Sequence, residues 1–170
     1  MKKLMTGAFA LAMACNAFAT ASFEFSSIWW FPRYDTNYGD TLSGQGQGIG
    51  INWDIDNDLF VGAYSEISDV YEATNYDTHH FTINAINVGK GVVKNTAIGL
   101  RLGTFYNAYD DYTGMLTDVY GNVTMMSGSV DKVSGSLRAT FGGRFAREYE
   151  NGGDYDFSGY FVSLGIGVGI

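Results

Sequence analysis

The sequence predicts an all-β fold of eight antiparallel strands closed into an up-and-down barrel. Three observations carry that expectation. Apolar and polar residues alternate with period two along most of the chain, short and long connections follow each other in turn, and the composition is rich in glycine and aromatic residues. The 170 residues include 23 Gly, 12 Phe, 12 Tyr and 3 Trp but one Pro, and only 16% are charged, against roughly 25% in an average soluble domain. This length suits one domain. Glycine at such a level opposes a helical bundle, because each Gly inside a helix costs roughly 1 kcal/mol relative to Ala. The aromatic content opposes a disordered chain. A net charge of −8 makes nucleic acid, with its polyanionic backbone, an unsuitable partner.

Residues 1–19 read as a signal peptide. Lys2 and Lys3 form a basic start, residues 4–14 an apolar run, and Ala17-Phe18-Ala19 supplies the small residues that precede a cleavage site. The run is too short to span a bilayer as a helix, which needs about twenty apolar residues. Cleavage after Ala19 is expected, with a second frame after Ala21, leaving 22–170 as the barrel domain. The single cysteine, Cys15, falls inside this segment. Ala12-Met13-Ala14 lacks the aliphatic residue that a lipidation site carries before its cysteine, so Cys15 is read as discarded.

Strands follow from the alternation. Ile49, Ile51, Trp53 and Ile55 share one face. So do Ile98, Leu100, Leu102, Thr104 and Tyr106, then Leu137, Ala139, Phe141 and Phe145. At the end of the chain Tyr160, Val162, Leu164, Ile166, Val168 and Ile170 alternate with glycine and serine. A helix would scatter these sets over all its faces. Strands are expected at 23–31, 44–55, 59–70, 80–93, 96–108, 119–130, 133–147 and 157–170. In the fourth, Phe81, Ile83 and Ala85 share one parity while Ile86, Val88 and Val92 take the other, which suggests a bulge near Ala85. The turns at 56–58 and 94–95 are tight, while 32–43, 71–79, 110–118 and 148–156 read as long acidic loops.

Alternation alone leaves open which face meets solvent. A soluble barrel buries its oily face, and a membrane barrel turns it outward to lipid. Two features favour the outward case. The non-oily face carries glycines and isolated charges rather than a dense charged coat. Aromatic residues also gather near strand ends, including Trp29, Trp30, Tyr106 and Tyr160, with Trp53 near the opposite rim, as expected of rings at a hydrocarbon–water interface. A signal peptide, about 150 mature residues, eight strands and a terminal alternating strand from Gly159 to Ile170 resemble the small bacterial outer-membrane barrels of the OmpX and OmpA-domain type. The resemblance implies a transmembrane barrel in the cell outer membrane of a Gram-negative envelope. It implies contact with membrane lipid and lipopolysaccharide, and recognition by the barrel-assembly machinery through Gly159 to Ile170. Ile170 departs from the aromatic residue that usually ends such strands.

Parity places Glu24, Asp54, Glu66, Arg101, Arg138, Arg144 and Glu148 inside. An arginine at the lipid midplane costs roughly 2–4 kcal/mol, so Arg101 and Arg138 in particular belong in the lumen. Enclosed charges must pair, and the expected network centres on Glu66, Arg101 and Arg138, a polar plug rather than a gated ion path. Asp54, Asp56 and Asp58 open like a calcium loop, but Leu59 and Ser65 stand where it needs Gly and Glu. No cofactor or metal is therefore expected. His79 and His80 lie near Ser65, Ser68, Asp69 and Asp77 without the spacing of a nucleophilic site. The expected function is non-enzymatic, structural or surface-interacting, in a monomer whose acidic loops could meet a basic partner. A lipid A-modifying enzyme and a soluble periplasmic ligand-binding barrel are the alternatives.

Overall fold

The computed structural model describes residues 21–32, 42–56, 58–72, 78–109, 111–148 and 156–170. The expected signal peptide, Cys15 and most of the acidic loop residues lie outside the described residues. Eight strands follow in chain order: β1 Ala21–Pro32, β2 Leu42–Asp56, β3 Leu59–Glu72, β4 Thr78–Val93, β5 Thr96–Asn107, β6 Tyr112–Val130, β7 Val133–Glu148 and β8 Gly159–Gly169. Each pairs antiparallel with its neighbour, and β1 pairs with β8, so the sheet is closed. Closure satisfies the backbone groups that an open edge would leave bare.

The register sets the shape. From Ala21 it runs through Trp53, Val61, Val88, Leu100, Val119, Gly143 and Tyr160, and returns to β1 at Phe31. One circuit therefore climbs ten residues along β1. That stagger tilts the strands around a lumen narrow enough for side chains to fill. The tight turns carry Asp58, Asn95 and Asp131 at φ 76°, 65° and 52°, where a short polar side chain tolerates the left-handed conformation. The start of β1 and the residue after β8 meet at this same rim, where Ile170 N–H donates to the Ala21 carbonyl at 3.0 Å.

Every expected strand is present, with two corrections. β4 carries no bulge at Ala85, since its pairing with β3 runs without interruption from Thr78 to Lys90. Phe81, Ile83 and Ala85 point inward and are buried, while Ile86 and Val88 point outward. The strand is apolar on both faces because its upper lumen side packs into an aromatic core. β6 begins at Tyr112 rather than 119, which moves Asp118 from an expected loop into the barrel wall. The register shifts fall instead at Asp54/Asp56, Gly91/Val93 and Thr124/Met126, toward the rim with the tight turns, a usual place for bulges.

The two faces match the outward assignment. Phe25, Ile49, Ile86, Phe141 and Ile166 are exposed on the outer wall, whereas Glu66, Arg101, Asp118 and Arg144 are buried in the lumen. A soluble barrel with its oily face inside is not this arrangement. Several luminal glycines let large rings close over them: a Cβ on Gly99 would collide with the Tyr120 ring.

Candidate functional site: stacked layers in the barrel lumen

Four strands deliver the central charges. Arg101 on β5 is the cross-strand partner of Asp118 on β6, and Asp118 is in turn the partner of Arg144 on β7. Glu66 reaches the group from β3, across the lumen. The Arg144 guanidinium donates to Glu66 through Nη1 and Nη2, both at 2.8 Å, and to Asp118 through Nε at 2.9 Å and Nη2 at 3.0 Å. Two such forked contacts use the planar geometry that distinguishes arginine from lysine. Glu66 also accepts from the Tyr64 hydroxyl at 2.7 Å and from the Ser68 hydroxyl. The side chains of Arg144, Glu66 and Asp118 are fully shielded from solvent.

Arg101 joins this group less tightly. Its Nη1 lies 3.4 Å from Asp118 Oδ2, because Arg144 already occupies the better positions on that carboxylate. Its guanidinium instead sits between aromatic faces, 3.9 Å from the Tyr64 ring centre and 4.6 Å from that of Tyr120, a favourable cation–π arrangement. The Tyr120 hydroxyl donates to Asn87 Oδ1 at 2.5 Å, and Asn87 Nδ2 donates to Asn52 Oδ1 at 2.7 Å. This chain of hydrogen bonds ties β6, β4 and β2 together around the guanidinium.

Toward the long connections the lumen becomes apolar. Trp30, Phe81, Phe105, Phe157 and Phe161 are buried to within 1% of completely. Phe81 is the hub, with edge-on ring contacts to Trp30 at 5.2 Å, Phe105 at 5.6 Å and Phe157 at 5.0 Å. Such packing contributes beyond the burial of area alone. Toward the tight turns the lumen opens into a cavity of about 840 Å³ reached by Asn52, Asp54, Asn87, Arg101 and Arg138. There Arg138 Nη1 pairs with Glu24 Oε2 at 3.3 Å, with its side chain 26% exposed.

The residues singled out from sequence thus divide. Glu66, Arg101 and Arg144 come together with Asp118, which the sequence pattern assigns to a loop. Arg138 does not join them. It lies six residues before Arg144 on the same strand face, about 20 Å away at roughly 3.3 Å per residue, and pairs with Glu24. Trp29, Tyr106 and Tyr160 point outward and are exposed, and Trp53 is half-exposed on the same outer face. Trp30 does not belong with them. It is 0% exposed inside the barrel, because neighbours on a strand take opposite faces.

The hydroxyl and imidazole groups do not assemble. His80 Nδ1 lies 2.6 Å from Asp69 on the outer wall, while His79 packs edge-on to Tyr109 at the loop end of the lumen. The Ser65 hydroxyl is bonded to Asn84 and that of Ser68 to Glu66.

No protein-family model matches the chain, and a search of curated proteins finds no relative. Solved structures of outer-membrane proteins are similar to the chain. The outer-membrane protein Ail of Yersinia pestis, solved in a phospholipid bilayer nanodisc, matches 90% of this chain and all of its own at a TM-score of 0.53 and 8% identity. OprG of Pseudomonas aeruginosa, another outer-membrane protein, matches 89% of this chain and 96% of its own at 0.47 and 9% identity. The chain has the fold of a small outer-membrane β-barrel.

Proposed function

We propose that this protein is a non-enzymatic barrel of the bacterial outer membrane, exported by residues 1–19, with a structural or surface-interaction role and a closed lumen. One observation carries the reading: the apolar side chains face out and the charges face in. An exposed belt of Phe25, Ile49, Ile86, Leu102 and Ile166 is costly in water and favourable in hydrocarbon. Two layers support a closed lumen, the ion-pair cluster around Arg144 and the aromatic layer around Phe81. The separation of His80 from Ser65 and Ser68 supports a role without chemistry. Gly159 to Ile170 is the segment offered to the assembly machinery, and the acidic long connections are where a basic partner or divalent cations would meet the protein.

Electrophoresis with and without boiling tests the membrane reading. The folded chain should resist SDS at room temperature and change mobility on heating. Purification from the periplasm without detergent would overturn it. Planar-bilayer recording tests closure, and a steady, large conductance from the unmutated protein would defeat it.

A further inference from the structure

The outer wall is not equally apolar all round. On β7 and β8 its middle presents Phe141, Val162, Leu164 and Ile166, all exposed. On β2 to β4 the middle instead carries Gln47, Ser65 and Asn84, and both amides are exposed. On the outward face of β4, Asn84 lies four residues below His80 and six above Lys90, away from either rim. The Ser65 hydroxyl donates to Asn84 Oδ1 at 3.1 Å. Among the described residues, Asn84 Nδ2 and the Gln47 amide have no hydrogen-bond partner. A polar group held in hydrocarbon without a partner is costly, and lipid tails offer it none. Two amides side by side at this depth call for a protein surface.

The register shows which surface fits. Two copies inserted in one membrane in the same direction are related by an axis along its normal, which keeps every residue at its own height. A two-fold contact therefore needs residues that match at equal height on either side of the axis. One circuit climbs ten residues over eight strands, hence two and a half over two strands. Asn84 lies two strands on from Gln47 and two residues lower in register, so their heights agree to about half a residue. The same offset relates Gln45 to Thr82 above them and Ile49 to Ile86 below. Polar positions thus face polar ones, and apolar face apolar, about an axis at Ser65 on β3. Ser65 is small, and a groove of about 1100 Å³ lined in part by Gln47, Ile49, Ser65 and Ile67 admits a second wall closely.

We propose that the wall of β2 to β4 is the contact between two copies of this chain, in place of the monomer expected from sequence. Gln47 of each copy meets the partner's Asn84, and each amide has both donors and an acceptor to offer. Beneath them Ile49 packs against the partner's Ile86, and the two Ser65 side chains adjoin at the axis. An unrelated partner would require no such symmetry in this wall. The contact rests on the outer-membrane reading above.

The test uses the full-length chain refolded into phosphatidylcholine vesicles at high lipid excess, with Cys15→Ser in every variant so that one thiol is read at a time. On oxidation Ser65→Cys should form a disulfide-linked dimer, and Phe141→Cys, four strands away round the ring, should not. Adding Gln47→Leu/Asn84→Leu to Ser65→Cys should cut the dimer by about tenfold or more, as the loss of hydrogen bonds of ordinary strength implies. A mixture of the two single variants is the sharper test. Gln47→Leu with Asn84→Leu keeps one amide pair and sets leucine against leucine in the other, so the mixed dimer should exceed the dimer of either variant alone. Equal cross-linking at the two cysteines, an undiminished dimer in the double variant, or a mixture no better than its components overturns the contact. If the double variant does not fold, the comparison of Ser65→Cys with Phe141→Cys decides by itself. Failure of the parent chain to insert and show heat-dependent mobility would instead overturn the membrane reading, a distinct outcome.

Discussion

Arg144 and Arg138 project from the same face of β7, six residues apart, and meet very different surroundings. Arg144 makes forked contacts with two carboxylates in a dry layer beneath aromatic rings. Arg138 makes one contact of 3.3 Å to Glu24 beside an open cavity. Both are arginine–carboxylate contacts, and they differ in the number of partners and in enclosure. A buried charge that loses its partner retains the full desolvation cost, whereas one near water is rehydrated. The upper pair should therefore dominate stability, although each arginine looks equivalent along the strand.

Removing the upper charge should have the largest effect. Arg144→Ala leaves Glu66 buried without a cation and Asp118 with only the longer Arg101 contact, and should destabilise the barrel by about 3–5 kcal/mol. Urea unfolding in vesicles, followed by loss of the heat-sensitive mobility shift, measures it. Neutralising the partners as well, in Arg144→Met/Glu66→Gln/Asp118→Asn, should recover much of the loss. A triple variant no more stable than the single one would show that packing, rather than charge, holds this layer.

The aromatic layer comes next. Phe81→Ala deletes the ring that touches Trp30, Phe105 and Phe157, and a buried Phe→Ala change costs about 3–5 kcal/mol where the site cannot collapse. The flanking rings can shift into the space, so the loss should fall at the lower end. Bilayer recording of the same variant asks whether the aromatic layer or the charge layer seals the lumen. Conductance appearing in Phe81→Ala but absent in the charge triple variant would assign closure to the rings.

Arg138→Ala should cost only about 1 kcal/mol, the upper range for a hydrated pair. Parity alone implies more, since it places Arg138 in the same network as Glu66. A measured loss matching that of Arg144→Ala would erase the distinction between the two halves. Smallest of all, His80→Gln breaks an exposed outer pair, with 59% and 40% side-chain exposure. It should change stability by less than about 1 kcal/mol in the same unfolding measurement.

Much of this molecule is legible in its amino-acid order. Strand number, antiparallel arrangement and the inward direction of Glu24, Glu66, Arg101, Arg138 and Arg144 follow from a side-chain period of two and from the spacing of turns. Two of the misleading positions, Asp118 and Trp30, share a cause, which is that a neighbour in sequence obscures parity. Asp118 resembles part of a loop because Asp110, Asp111 and Thr113 precede it, although Tyr112, Gly114, Leu116, Asp118 and Tyr120 already share its parity. Trp30 resembles an interface ring because it adjoins Trp29. Phe81 and Ile83 suggest a bulge only on the assumption that a membrane barrel's lumen is polar throughout.

The sequence alone determined which residues of a strand share a side of the wall, because alternation is a local property of an extended chain. Only the tertiary structure decided which inward residues meet. Partners across a closed barrel depend on the stagger accumulated over all eight strands, ten residues in one circuit here, and no short stretch of sequence encodes that sum. This is why Arg144 rather than Arg138 reaches Glu66, and why the rings of β1, β4, β5 and β8 converge in one layer although they lie far apart along the chain.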